Sequence, residues 1–97
     1  GDPRKGEQDF MACKICHTLD RNMLGPHLHG VIGRKAGSLP DFPYSAAMKA
    51  SGITWTPEKL FQFLEGPQHV VPGTRMSFPG DHDPQRRADI IAYLKAN

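Results

Sequence analysis

The chain is poor in cysteine. Only two are present, and both fall in one stretch, Cys13-Lys14-Ile15-Cys16-His17, so there is no disulfide framework to infer. Long apolar runs are missing as well, and nothing approaches the ~20 residues that a membrane-spanning helix needs. Charge of one sign is not in excess: 12 Lys and Arg stand against 10 Asp and Glu, a formal net charge of +2, which argues against a basic nucleic-acid reader. There is no internal repeat, low-complexity tract or long charge run. No signal-peptide pattern is visible, and Gly1-Asp2-Pro3 reads as a mature N-terminus or as the cut edge of a longer chain. Ninety-seven residues suffice for one domain, 1–97, but 38 % hydrophobic content gives it a modest core. Ten glycines and nine prolines imply much irregular chain. That combination suits a fold stabilised by a large buried ligand.

The two cysteines supply the candidate. In Cys13-Lys14-Ile15-Cys16-His17, both thiols can reach one flat partner from a single turn of chain. The spacing is that of covalent c-type haem attachment, in which the cysteines add to two vinyl groups as thioethers and His17 binds iron from one side. Two haem propionates would cancel the +2 charge. The same residues admit other readings. A CxxC pair serves as a redox dithiol, although the βαβ pattern expected around that use is missing. It also serves as half a zinc site, which His27 and His29 would complete.

The rest of the chain divides into short helices and long loops. Asp2-Pro3 opens a first helix as N-cap and first helical residue, and Gly6, Phe10 and Cys13 follow at helical spacing. Residues 18–43 hold so many glycines and prolines that they read as one ordered loop, a length unusual in a compact domain unless it wraps something. Ser45 caps a short helix over Ala46 to Ser51, which Gly52 ends. Thr56-Pro57 starts a third, with Leu60, Phe61 and Leu64 as its apolar stripe, and Gly66-Pro67 stops it. A second loop runs from Gln68 to His82. Asp83-Pro84 repeats the capping device before a last helix that extends almost to Asn97. The expectation is all-α: four helices of unequal length and no strand.

A closed haem also needs a ligand on its far side. Thioether sulfur is a soft donor that favours ferrous iron. Of four methionines, Met11 and Met23 lie too close in sequence to the attachment stretch to cross the ring, and Met48 falls on a helix as wall. Met76 sits on the second loop, bracketed by Pro72-Gly73 and Pro79-Gly80. That context favours Met76 over the usual role of methionine as core filler.

Over essentially its whole length, from Gly1-Asp2 to Tyr93-Leu94, the chain resembles class I cytochromes c of the mitochondrial and alpha-proteobacterial type. The resemblance rests on Cys13 to His17, Gly25-Pro26-His27-Leu28-His29-Gly30, Gly33-Arg34-Lys35, Phe42-Pro43-Tyr44-Ser45, Gly52-Ile53-Thr54-Trp55, Pro72-Gly73-Thr74-Arg75-Met76 and Arg87 to Leu94. It implies the class I cytochrome c fold around one haem c, held covalently by Cys13 and Cys16 and ligated by His17 and Met76. It implies that the Pro26 carbonyl orients His17, and that Arg34, Tyr44, Ser45 and Trp55 bond or neutralise the propionates. Thr74 and Phe78 would line the methionine side and the exposed haem edge, while Gly6 and Phe10 would cross Ile90 and Tyr93.

The resemblance also implies a function. The chain would be a monomeric one-electron carrier of the bacterial periplasm rather than an enzyme, docking transiently between a quinol-oxidising complex and an oxidase or photosynthetic reaction centre. Two alternatives accompany that reading: the haem domain of a membrane-anchored cytochrome or larger oxidoreductase, and a ligand-binding or peroxidatic haem protein. The sequence departs from its relatives in three ways. Phe63 stands where many carry a tyrosine, and Met48 where asparagine is usual. Ala12, Gln68, His69, His82 and Asp83 occupy places that are often lysine at the haem edge. The segments around the cysteine stretch are shorter than in the mitochondrial form, which gives the chain a bacterial look.

Overall fold

The computed structural model describes all residues, 1–97. Five α-helices follow in order: α1 Pro3–Asp9, α2 Ala46–Ala50, α3 Pro57–Glu65, α4 Pro67–Val70 and α5 Pro84–Lys95; a 3₁₀ turn, Phe10–Cys13, continues α1. The capping chemistry behaves as expected. Asp2 Oδ1 accepts from the Arg4 amide, Thr56 Oγ1 from Lys59, and Asp83 Oδ1 from Gln85 and Arg86, each cap being followed by a proline at the first helical position. Ser45 Oγ caps α2 by accepting from the Met48 amide at 3.1 Å.

Two sequence expectations change. Gly66-Pro67 does not simply stop α3: Pro67 begins α4, a fifth helix of four residues inside what reads as loop. A proline lacks the amide that the first helical position leaves unbonded anyway, so the same residue ends one helix and starts the next. The first helix also does not keep α geometry up to the cysteines but tightens into the 3₁₀ turn after Asp9. There is no strand, only an isolated antiparallel bridge between Lys35 and Thr54. Around it, the Gly33 amide donates to the Trp55 carbonyl, Trp55 to Arg34, and Ala36 to Ile53, closing residues 37–52 at their neck.

The core is one cluster built by helices and loops together: Phe10 from the turn after α1, Val31 and Ala36 from the first loop, Trp55, then Leu60, Phe63 and Leu64 of α3, Val71, and Ile90, Ile91 and Leu94 of α5. Its frame is the crossing of α1 and α5. A Cβ on Gly6 would overlap the Asp89 carbonyl, so only glycine permits this approach. The Asp2 amide donates to Asp89 Oδ1 at 2.7 Å, and the Phe10 and Tyr93 rings pack 5.3 Å apart. Asp89 is buried, and the Asp2 amide and then the Gln85 side chain hold its carboxyl below the usual carboxylate range. A second tie joins α5 to α3. The buried Arg87 donates to the Phe61 carbonyl at 2.9 Å, and its guanidinium lies 4.0 Å over the Phe61 ring.

Candidate functional site

The cysteine stretch lies where the 3₁₀ turn ends. The Cys16 and His17 amides both donate to the Cys13 carbonyl, at 3.1 and 2.8 Å, which winds the segment into one turn. In that turn Cys13, Cys16 and His17 are half-buried, while Lys14 and Ile15 face solvent. No disulfide joins the two cysteines. Burial pushes the Cys13 thiol up from its ordinary value, with smaller pushes from Cys16 and Asp81. The returning loop then seals the turn. The Gly25 amide donates to the Cys16 carbonyl at 2.8 Å, and Leu28 and His29 donate to Thr18 and Leu19 at 3.0 Å.

His17 is fixed by this return. Its Nδ1 lies 2.9 Å from the Pro26 carbonyl, which makes Nδ1 the protonated nitrogen and leaves Nε2 with a free lone pair. Burial lowers the affinity of the imidazole for a second proton, partly offset by that carbonyl, so the ring is held neutral as a metal ligand must be. The ring lies directly against the Gly25 backbone, where an added Cβ would overlap it. Gly25 is thus part of the site, although sequence reading placed the weight on Pro26. The signal for it was the adjacent Gly-Pro pair.

The four methionines divide by burial. Met11 and Met23 are exposed, whereas Met48 and Met76 are half-buried against the core. Met76 stands on a loop braced on its N-terminal side. Its amide donates to Thr74 Oγ1 at 3.3 Å; Gln68 spans the loop, donating to the Thr74 carbonyl at 2.7 Å and accepting from the Gly73 amide at 3.1 Å. Arg75 ties this loop to the first by donating to the Pro43 and Tyr44 carbonyls at 3.0 and 3.3 Å. The sequence suggests for Gln68 only a surface place at the haem edge and for Arg75 no partner; the structural work of both is invisible without those partners, which are backbone carbonyls and an amide.

The residues expected at the propionates have part of their hydrogen-bonding capacity engaged within the protein. Two nitrogens of Arg34 donate to the His27 and His29 carbonyls at 2.8 and 2.7 Å, clamping the first loop and leaving Nε–H and one N–H on each terminal nitrogen uncommitted. Tyr44 Oη accepts from the Leu39 amide at 3.4 Å and Ser45 Oγ from Met48, so each hydroxyl keeps its own proton to donate. Trp55 is buried with its ring 4.8 Å from Phe63. Thr74 is buried and Phe78 half-buried. The zinc alternative fails, because no three His, Cys, Asp or Glu side chains come together as an ion site, and His27 and His29 do not join the cysteines.

The donor set therefore fits a haem: two cysteines in one turn, one oriented imidazole, and one half-buried thioether on a separate, braced loop. No protein-family model matches the chain. Individual proteins do. Cytochrome c2 of Rhodopila globiformis is 53 % identical over 98 residues, covering 98 % of this chain and 92 % of that protein. The chain belongs to the class I cytochromes c. The cytochrome superposes on cytochrome cH from Methylobacterium extorquens with a TM-score of 0.98 at 48 % identity, each chain being covered completely. It is also 49 % identical over 96 residues to the cytochrome c-type cyt cy of Rhodobacter capsulatus, covering 97 % of this chain but 48 % of that longer protein. As a member of the family it carries haem c, attached covalently through Cys13 and Cys16, and it is an electron carrier rather than an enzyme.

Proposed function

We propose that the chain is a single-domain, soluble carrier of the bacterial periplasm. It would pass one electron at a time from a quinol-oxidising complex to a terminal oxidase or photosynthetic reaction centre. The observations that carry this reading are a His17 ring fixed by the Pro26 carbonyl and a half-buried Met76 on a braced loop. When bound, haem would supply a one-electron couple, and His17 and Met76 would hold its iron. The protein's part is to hold both ligands through the redox cycle, so that little geometry changes. Pro26 fixes the imidazole; Gln68, Thr74 and Arg75 steady the loop of Met76; the uncommitted N–H and O–H groups of Arg34, Tyr44, Ser45 and Trp55 would bond the propionates, and Phe78 would line the haem edge.

The test is spectroscopic. The ferric protein should show the charge-transfer band of methionine-bound haem at neutral pH, and the ferrous protein should not take up carbon monoxide. A missing band with ready carbon monoxide binding would favour the ligand-binding alternative and remove the carrier reading. The longer relative supports one further reading, that the chain works as the haem domain of a larger protein. A full-length product with an uncleaved N-terminal anchor would decide for it. No helix of the chain is long and apolar enough to cross a membrane.

Docking should depend only moderately on salt. Ala12, Gln68, His69, His82 and Asp83 are exposed and none is lysine. We expect the second-order rate with an acidic redox partner to fall by about threefold between low and physiological ionic strength; a fall of about thirtyfold would contradict this surface.

Phe63 marks a difference in tuning. It is buried, packs on Trp55, and offers no hydroxyl to the ligand sulfur. In Phe63→Tyr, a donor to that sulfur would weaken its donation to ferric iron and raise the reduction potential. One net hydrogen bond of about 1 kcal/mol corresponds to ~40 mV for a one-electron couple. An unchanged redox titration would remove the idea.

A further inference from the structure

The loop that carries Met76 is held unequally at its two ends. Before Met76 it has three braces: Gln68, Thr74 and Arg75. After Met76, the residues Ser77 to Gly80 make no hydrogen bond at all. The first anchor on that side is Asp81. Its amide donates to the Leu64 carbonyl at the end of α3, at 2.8 Å. Its carboxylate accepts from Arg86 on α5, 2.7 Å from Nε to Oδ2, with a longer contact of 3.4 Å to Oδ1, and takes the Asp83 amide at 3.0 Å. Gly80 seals the joint from the other side, since a Cβ there would overlap the Glu65 carbonyl. The side chain of Asp81 is only 16 % exposed, although that of Arg86 is 51 % exposed.

We propose that the Asp81–Arg86 pair is the latch of the methionine loop, and that these two residues are positioning residues that keep the Met76 sulfur on the iron. The proposal rests on Met76 being the sixth ligand. Displacing Met76 requires Ser77 to Gly80 to swing outward, and with no bonds of their own these residues move as far as Asp81 allows. The geometry explains why a side chain is used. Backbone alone gives the exit of the loop one bond, to Leu64; the carboxylate adds a second element, α5, which the core already fixes through Ile90, Ile91 and Leu94. The Arg86 contact is also the main cause that holds the Asp81 carboxyl below its usual range, so the pair is charged at neutral pH. Exposed pairs are individually weak, and the effect sought is accordingly a shift in a loop equilibrium rather than loss of fold.

Imidazole binding to the ferric holoprotein reads that equilibrium, because imidazole takes the iron only when Met76 leaves. Asp81→Asn and Arg86→Gln should each raise its apparent affinity by about threefold to fivefold, the range of an exposed charged pair. The double variant should rise no further than the single ones, and the exchanged pair Asp81→Arg with Arg86→Asp should restore part of the loss. Thermal unfolding of the same proteins separates a local latch from general weakening. Affinity gains that add in the double variant, or that merely track the melting temperature, would overturn the proposal, as would wild-type affinity in both single variants. If the wild-type protein lacks the methionine charge-transfer band, the ligand assignment fails instead, before the latch is tested.

Discussion

Gly25→Ala is expected to cost the holoprotein about 3 kcal/mol and to lower its melting temperature by roughly 15 °C. The reason is contact rather than backbone freedom. Gly25 is not among the glycines with positive φ, so alanine could adopt its conformation without strain. A Cβ there would, however, occupy the space of the His17 ring, including Nδ1 and Nε2. Either the ring rotates and loses the 2.9 Å bond to Pro26, or the backbone retreats and loses the 2.8 Å bond from Gly25 to Cys16. Overpacking costs about 1–3 kcal/mol and a lost hydrogen bond about 1 kcal/mol. Pro26→Ala is the informative contrast. It keeps the carbonyl that holds Nδ1, and should cost less than about 1 kcal/mol through the added freedom of the unfolded chain. If thermal unfolding ranks the two variants equally, the packing of Gly25 on His17 is not what makes this turn.

Gly6→Ala carries the second large effect, at the crossing of α1 and α5. On helix propensity alone it should stabilise α1 by about 1 kcal/mol. Packing reverses the sign. The added methyl would fall on the Asp89 carbonyl and 2.9 Å from Tyr93 Cβ, both fixed parts of α5. To relieve that, α1 must back away, weakening the 2.7 Å bond from the Asp2 amide to Asp89 and the Phe10–Tyr93 contact. A net destabilisation of about 2–4 kcal/mol in denaturant unfolding is expected, whereas Lys5→Ala, exposed next door, should stay within about 0.5 kcal/mol. A stabilised Gly6→Ala protein would mean that the two helices can cross at a larger distance without penalty.

These glycines show how far the sequence is readable. Helix starts were plain, because Asp2-Pro3, Thr56-Pro57 and Asp83-Pro84 state a cap and a first residue within two positions. The attachment turn was equally plain, since its chemistry needs fixed spacing. Helix α4 was not, because four residues are too few for a hydrophobic period and Gly66-Pro67 carries the same signal for a stop as for a restart. The Lys35–Thr54 bridge escaped for another reason: neither partner shows a local strand pattern, and their pairing exists only once the chain has returned. The braces of the methionine loop belong to the same class. Gln68 meets the Thr74 carbonyl and Arg75 those of Pro43 and Tyr44, and a carbonyl as partner leaves no trace in residue type.

The neck at that bridge has a consequence for the chain as a polymer. Three backbone bonds, from Gly33, Trp55 and Ala36, pinch residues 37–52 into a ring whose ends are fixed independently of its contents. The entropy of closing a ring grows only with the logarithm of its length. Residues gained or lost on the exposed stretch around Ser38 to Asp41 would therefore change the closure cost little. They would also leave Trp55 and Arg34 where the neck holds them, so these two residues of the haem site are insulated from the length of the loop beside them, whereas Tyr44 and Ser45 lie within that loop.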